Sequence, residues 1–126
     1  MQRLKTRPQF QAVLGGALVA KTAHFAMHRF EPDASTSSSS LALFPVKATW
    51  MGAMAPKRWA KRAVTRNAIK RQIYTVSASL TSHFPQAAFL VRLRREFSRK
   101  DFPSATSADL KAAVRAELLI LMQAVA

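Results

Sequence analysis

The chain has 126 residues and a mass of 14.0 kDa, enough for one domain spanning residues 1–126 and not for two. It carries 20 Lys+Arg against 6 Asp+Glu, a formal charge of +14, yet 49% of it is apolar, which excludes a wholly disordered basic tail. With no cysteine there is no disulfide scaffold, thiolate metal site or cysteine nucleophile, and no apolar run approaches the ~18 residues of a transmembrane helix.

The N-terminal Arg3, Lys5 and Arg7 precede an apolar patch, Ala12–Ala20, and so imitate a secretory signal. Gln9 and Gln11 interrupt it, Gly15-Gly16 splits it, and no small-x-small site follows Val19-Ala20. The cytoplasm is the expected compartment. Thr6-Arg-Pro-Gln9 reads instead as a helix start. Thr6 caps, Gln9 reaches back three residues, and Pro8 sits in the first turn, where its missing N–H matters little. Phe10, Val13, Leu14 and Ala17 form one face of this short helix, and Gly15-Gly16 ends it.

Ala23–Phe30 alternates and predicts a strand, with Phe25, Met27 and Arg29 on one face and His24, Ala26, His28 and Phe30 on the other. Asp33–Ser40 is a polar, Ser-rich loop, expected to be flexible. Leu41–Pro56 predicts one long or two short strands, with Pro45 at an edge, bulge or break. A basic connector, Lys57–Arg62, leads to a helix starting near Thr65, because Ile69, Ile73, Val76 and Leu80 fall on one stripe. Ala87–Arg95 predicts a second buried strand. After a loop from Phe97, Ser107 is positioned to cap a closing helix with the stripe Leu110, Val114, Leu118 and Leu121. The order is α-β-β(β)-α-β-α, without internal repeats.

The charge is concentrated. From Ala34 to Arg95 there is no Asp or Glu, and seven of the fifteen residues Lys57–Arg71 are cationic. A solvated helix face ordinarily mixes signs to gain i,i+4 pairs and avoid like-charge repulsion. An acid-free block points to a polyanion, with nucleic acid ahead of an anionic membrane or an acidic protein. Arg66, Asn67, Lys70 and Arg71 stand at i, i+1, i+4 and i+5 and so share one side of a helix. Arginine forks bridge phosphate oxygens, lysine adds point charge, and an Asn amide reads a 2′-OH or a base edge.

Ala63-Val-Thr-Arg-Asn-Ala-Ile-Lys-Arg71 resembles the Arg-Asn box, Ala-Val-x-Arg-Asn-x-x-Lys-Arg, of the protein subunit of bacterial ribonuclease P. Met51–Arg58 is similar to the basic-ended strand before that box, Arg7–Leu14 to the N-terminal Phe helix, and Ala88–Leu93 to a later strand. The resemblance implies an α/β (α+β) two-layer sandwich with a left-handed β-α-β crossover, ribosomal-protein-S5-domain-2-like. It also implies that Lys57, Arg58, Lys61, Arg62, Arg66, Asn67, Lys70 and Arg71 bind the catalytic RNA, in a complex expected to be 1:1. Phe10, Leu14, His28 and Arg92 are expected to face the 5′ leader of precursor tRNA. The chain departs from the family at Gln72–Ser77, at Ala60, where many members have Gly, at the bulky Trp59, and at the inserted Ser-rich loop with Leu41–Lys47.

Phe10 also reads as a plain core residue and His28 as a structural hydrogen bonder. The three histidines show no metal-ligand spacing, and the acids are isolated, so neither a catalytic residue nor a metal site is expected in the protein. Catalysis is expected from the RNA, which would hold most of the Mg²⁺. The competing reading is a non-catalytic basic RNA-binding protein, ribosomal or chaperone-like. No membrane association is expected, because the basic helix has too narrow an apolar stripe.

Overall fold

The computed structural model describes residues 1–31, 43–45, 48–98 and 108–125. Helix α1 (Arg7–Leu14) starts on the expected capping box: Gln9 N donates to Thr6 Oγ1, and Thr6 N donates to Gln9 Oε1 at 3.1 Å. Gln9 is itself buried and donates through Nε2 to the Leu43 carbonyl at 2.8 Å, tying α1 to the segment ahead of the strand Trp50–Met54. Gly15 caps the helix in an ordinary right-handed conformation. At Gly16 an added Cβ would stand 2.2 Å from the Arg29 carbonyl oxygen, so only glycine lets the chain turn there.

Five strands form one mixed sheet: β1 (Gln2–Arg3), β2 (Ala17–Lys21), β3 (Phe25–Phe30), β4 (Trp50–Met54) and β5 (Ala88–Leu93), in the order β1-β4-β5-β3-β2. Strands β3 and β5 are antiparallel, with Phe25 opposite Leu93 and Phe30 opposite Ala88. Strands β4 and β5 are parallel neighbours, with Trp50 opposite Ala88 and Met54 opposite Arg92. They are joined by helix α2 (Ala63–Ser79), which makes the β-α-β crossover. Helix α3 (Ala108–Gln123) closes the fold.

The period-2 pattern divides the sheet into two faces. Phe25, Met27, Met51, Phe89, Val91 and Leu93 point to α2 and α3 and meet Ile69, Ile73, Val76, Leu110, Val114, Leu118 and Leu121 in the main core. Trp50, Ala88 and Leu90 point the other way and pack with Leu4, Val13 and Phe44 beneath α1. Both helical stripes are therefore buried as the periodicity requires.

Two strands were not foreseen. β1 has two residues and exists through parallel pairing with β4, Gln2 opposite Trp50. β2 is an edge strand with an irregular register between Leu18 and Ala20, and Leu18 and Val19 are exposed, so no inside–outside alternation marks it. The alternative of one long strand over Leu41–Pro56 is not met, because β4 covers only Trp50–Met54 and Pro45 lies outside it. Helix α2 starts two residues before the expected Thr65. Its first residues, Ala63 and Val64, are exposed and carry no part of the apolar stripe. The Ser-rich loop, Lys47 and Ser107 lie outside the described residues.

Candidate nucleic-acid interface

The basic connector is a shaped turn. Trp59 N and Ala60 N both donate to the Pro56 carbonyl, at 3.1 and 3.0 Å. The Ala60 methyl is buried in the main core, and Trp59 packs partly against it. Both departures from the family pattern are thus absorbed by the core. Lys57, Arg58, Lys61 and Arg62 are left exposed, with the Arg58 guanidinium 5.3 Å from the Trp59 ring centroid.

Arg66 is half-buried. Its Nη1 donates to the carbonyls of Ala60 at 3.1 Å and Lys61 at 2.8 Å, so it staples the connector to the first turn of α2. The expected rack of four side chains therefore divides: Asn67, Lys70 and Arg71 line a common groove, and Arg66 turns to the connector. Arg62 N-caps α2 without a side-chain cap bond, and no acid stands in the first turn. The positive end of the helix dipole is thus surrounded by cations, an arrangement that favours a phosphate. Among the described residues the ion pairs are Arg29–Glu31 and His24–Glu117, and neither touches this surface.

The groove has a volume of about 430 Å³ and is lined by Arg3, Phe10, Ala53, Asn67, Lys70, Arg71, Tyr74 and Thr75. It runs past the short β1 edge of the sheet and so reaches from α1 to α2. Phe10 is half-buried and rests on Gly52, where an added Cβ would come 3.0 Å from Phe10 Cε1 and 2.5 Å from Leu4 Cδ1. Phe10 thus packs partly against the smaller core and also lines the groove.

Leu14, His28 and Arg92 lie on the α1 side of the sheet, Leu14 packed against the smaller core. His28 does not offer an open ring face: it is 9% exposed, and its Nε2 accepts from Arg92 Nε at 3.0 Å. Burial, and then the Arg92 charge, hold its pKa below the usual histidine value. Arg92 is the more exposed of the two, and His28 stands behind it.

Sequence reasoning missed Arg3 and Tyr74. The Arg3 guanidinium lies 4.0 Å above the Tyr74 ring centroid, a cation–π pair in the groove. No local pattern joins residues so far apart in the chain; the β1–β4 pairing does.

A family profile described as Ribonuclease P matches residues 1–117. The chain is 36% identical over 72 residues to the ribonuclease P protein component of Burkholderia mallei, a match covering 57% of this chain and 53% of that one. It is 34% identical over 95 residues to the component from Nostoc sp., covering 68% and 66%. The match thus spans about half the length of the Burkholderia relative. The solved Staphylococcus aureus RNase P protein superposes with a TM-score of 0.69 at 18% identity, covering 98% of this chain and 94% of that one, which shows a shared fold. With the profile spanning nearly the whole domain, the chain belongs to the Ribonuclease P family.

Proposed function

We propose that this protein is the protein subunit of ribonuclease P, an RNA-containing endonuclease that removes the 5′ leader of precursor tRNA. The carrying observation is the continuous cationic surface of the connector and α2, shaped by Arg66 and bordered by a groove that Phe10 closes. Lys57, Arg58, Lys61, Arg62, Arg66, Asn67, Lys70 and Arg71 grip the catalytic RNA, and Arg66, through its Nη1, also holds their carrier in shape. Arg92, backed by His28, and Phe10 with Leu14 lie toward the leader. One protein binds one RNA, and the complex works in the cytoplasm.

Among the described residues no three His, Asp or Glu side chains converge. In this reading the metal is held mainly by RNA phosphates. The protein's part is to position substrate and to offset repulsion between two RNAs. Each phosphate contact releases counterions and makes the assembly salt-sensitive.

The test is reconstitution with a bacterial ribonuclease P RNA at low Mg²⁺, following release of the leader. The protein should raise cleavage, more for substrates with a longer leader. No gain in cleavage overturns the proposal, and RNA binding indifferent to the leader points to the non-catalytic module.

A further inference from the structure

The groove between α1 and α2 holds three cations and two aromatic rings, yet it is not a simple charged surface. Arg3 comes from β1, is exposed, and lays its guanidinium on the Tyr74 ring at 4.0 Å. A guanidinium pinned on one face by an aromatic ring has its other face available as a flat shelf. Nucleobases stack on such planes as well as on aromatic rings. Lys70 and Arg71 line the same groove and suit a phosphate, and the Asn67 amide suits a base edge or a 2′-OH. Phe10 stands in the opposite wall, on α1. The volume of about 430 Å³ falls in the range, roughly 300–1,000 Å³, of sites that take a small molecule.

We infer that this groove is a subsite for one unpaired nucleotide of RNA, its base stacked on the Arg3 guanidinium that Tyr74 holds in place, and its phosphate on Lys70 and Arg71. The subsite rests on the RNA-binding reading above and narrows it. A paired duplex cannot deliver a base to a groove of this kind, so Arg3 and Tyr74 distinguish unpaired from paired RNA. The remaining cations do not, because they read phosphates that both forms carry.

The experiment measures binding of the full chain, at fixed salt, to a labelled short oligoadenylate and to a blunt-ended RNA duplex of equal phosphate count. Arg3→Lys keeps the charge and loses the plane. Tyr74→Leu keeps the bulk and loses the ring, whereas Tyr74→Phe keeps both. Arg3→Lys and Tyr74→Leu should each weaken oligoadenylate binding roughly fivefold or more, and duplex binding by less than about twofold. Tyr74→Phe should bind both RNAs as the parent does. Arg115→Ala, which removes a charge from α3 outside the groove, should not discriminate between them. Arg3 is exposed, so Arg3→Lys carries the test even if Tyr74→Leu unfolds the domain. Oligoadenylate binding unchanged in Arg3→Lys, or an equal loss on both RNAs, overturns the subsite. If Arg66→Ala still weakens both RNAs in that case, the general RNA-binding reading survives; a parent protein that binds neither RNA overturns both.

Discussion

Arg92 Nε donates to His28 Nε2 at 3.0 Å, diagonally across the β3–β5 ladder in which Arg92 itself stands opposite Ala26. An accepting Nε2 places the neutral ring's proton on Nδ1, which is buried without a hydrogen-bond partner among the described residues. If Arg92 contacts the leader, His28 acts through it. His28→Leu should weaken binding of leader-bearing precursor tRNA by about 1 kcal/mol, as a lost hydrogen bond does. The double variant with Arg92→Ala should be no weaker than Arg92→Ala alone. Additive losses in equilibrium binding would show that His28 acts by itself.

Acid should destabilise this domain through two groups. The His28 pKa is lowered in the folded state, first by burial and then by Arg92. The unfolded chain therefore takes up protons at His28 that the folded one refuses, and stability falls as pH drops through 6.5, the ordinary histidine value. At Glu117 burial alone would raise the pKa. Bonds from Thr22 and His24, at 2.6 Å to Oε2 and 2.8 Å to Oε1, outweigh it and lower the value below 4.5. Its contribution is complete above 4.5 and is lost as pH falls through the folded value. Urea unfolding midpoints across acid pH should decline in two stages. His28→Gln should flatten the upper stage and Glu117→Gln the lower. An unchanged profile in either variant refutes that assignment.

Glu117→Gln should also act at neutral pH. The carboxylate binds Thr22 Oγ1, the His24 amide and the His24 ring, joining α3 to the β2–β3 turn. Losing bonds to a charged group costs about 1–3 kcal/mol, visible in the thermal midpoint. RNA affinity should stay as it was, because this cluster lies apart from the connector and the groove.

Arg66 has two separable roles. Arg66→Ala removes a cation and the staple to Ala60 and Lys61, and it should reduce the salt slope of RNA binding by about one unit. Arg66→Lys keeps the charge but not the guanidinium fork. It should retain the parent slope and still bind more weakly, because the connector cations are no longer held in place. Full affinity in Arg66→Lys would deny the staple any importance.

Adjacent glycines should respond differently. A Cβ at Gly16 meets the Arg29 backbone carbonyl at 2.2 Å, and neither backbone can move far, so Gly16→Ala should destabilise by about 1–3 kcal/mol. At Gly15 the nearest atoms are at 3.5 and 3.6 Å, an ordinary contact, and the backbone is right-handed. Gly15→Ala should be neutral or stabilise by up to about 1 kcal/mol. Equal thermal midpoints for the two variants would contradict this geometry.

Elements whose cause is local were legible in the chain alone. The Thr6–Gln9 box set the start of α1, the Ile69–Ile73–Val76 stripe gave α2 its buried face, and the alternation of Phe25–Phe30 assigned its sides. The acid-free run also announced a polyanion surface without any structure, since charge adds up whatever the fold. What depends on chain segments meeting was not legible. β1 and β2 are strands only because β4 and β3 offer them hydrogen bonds, and Arg66 faces the connector because the connector turns back on Ala60. His28, which reads both as a leader contact and as a structural hydrogen bonder, meets its partner Arg92 only through the β3–β5 pairing. Arg3 reaches Tyr74 because two residues of backbone pair with β4, and helical or strand periodicity carries no information about such a meeting. Sequence sets which faces are apolar and which are cationic, because those follow from residue type and spacing. Tertiary structure decides which cations are spent on the protein and which remain for RNA, because that depends on partners distant in the chain.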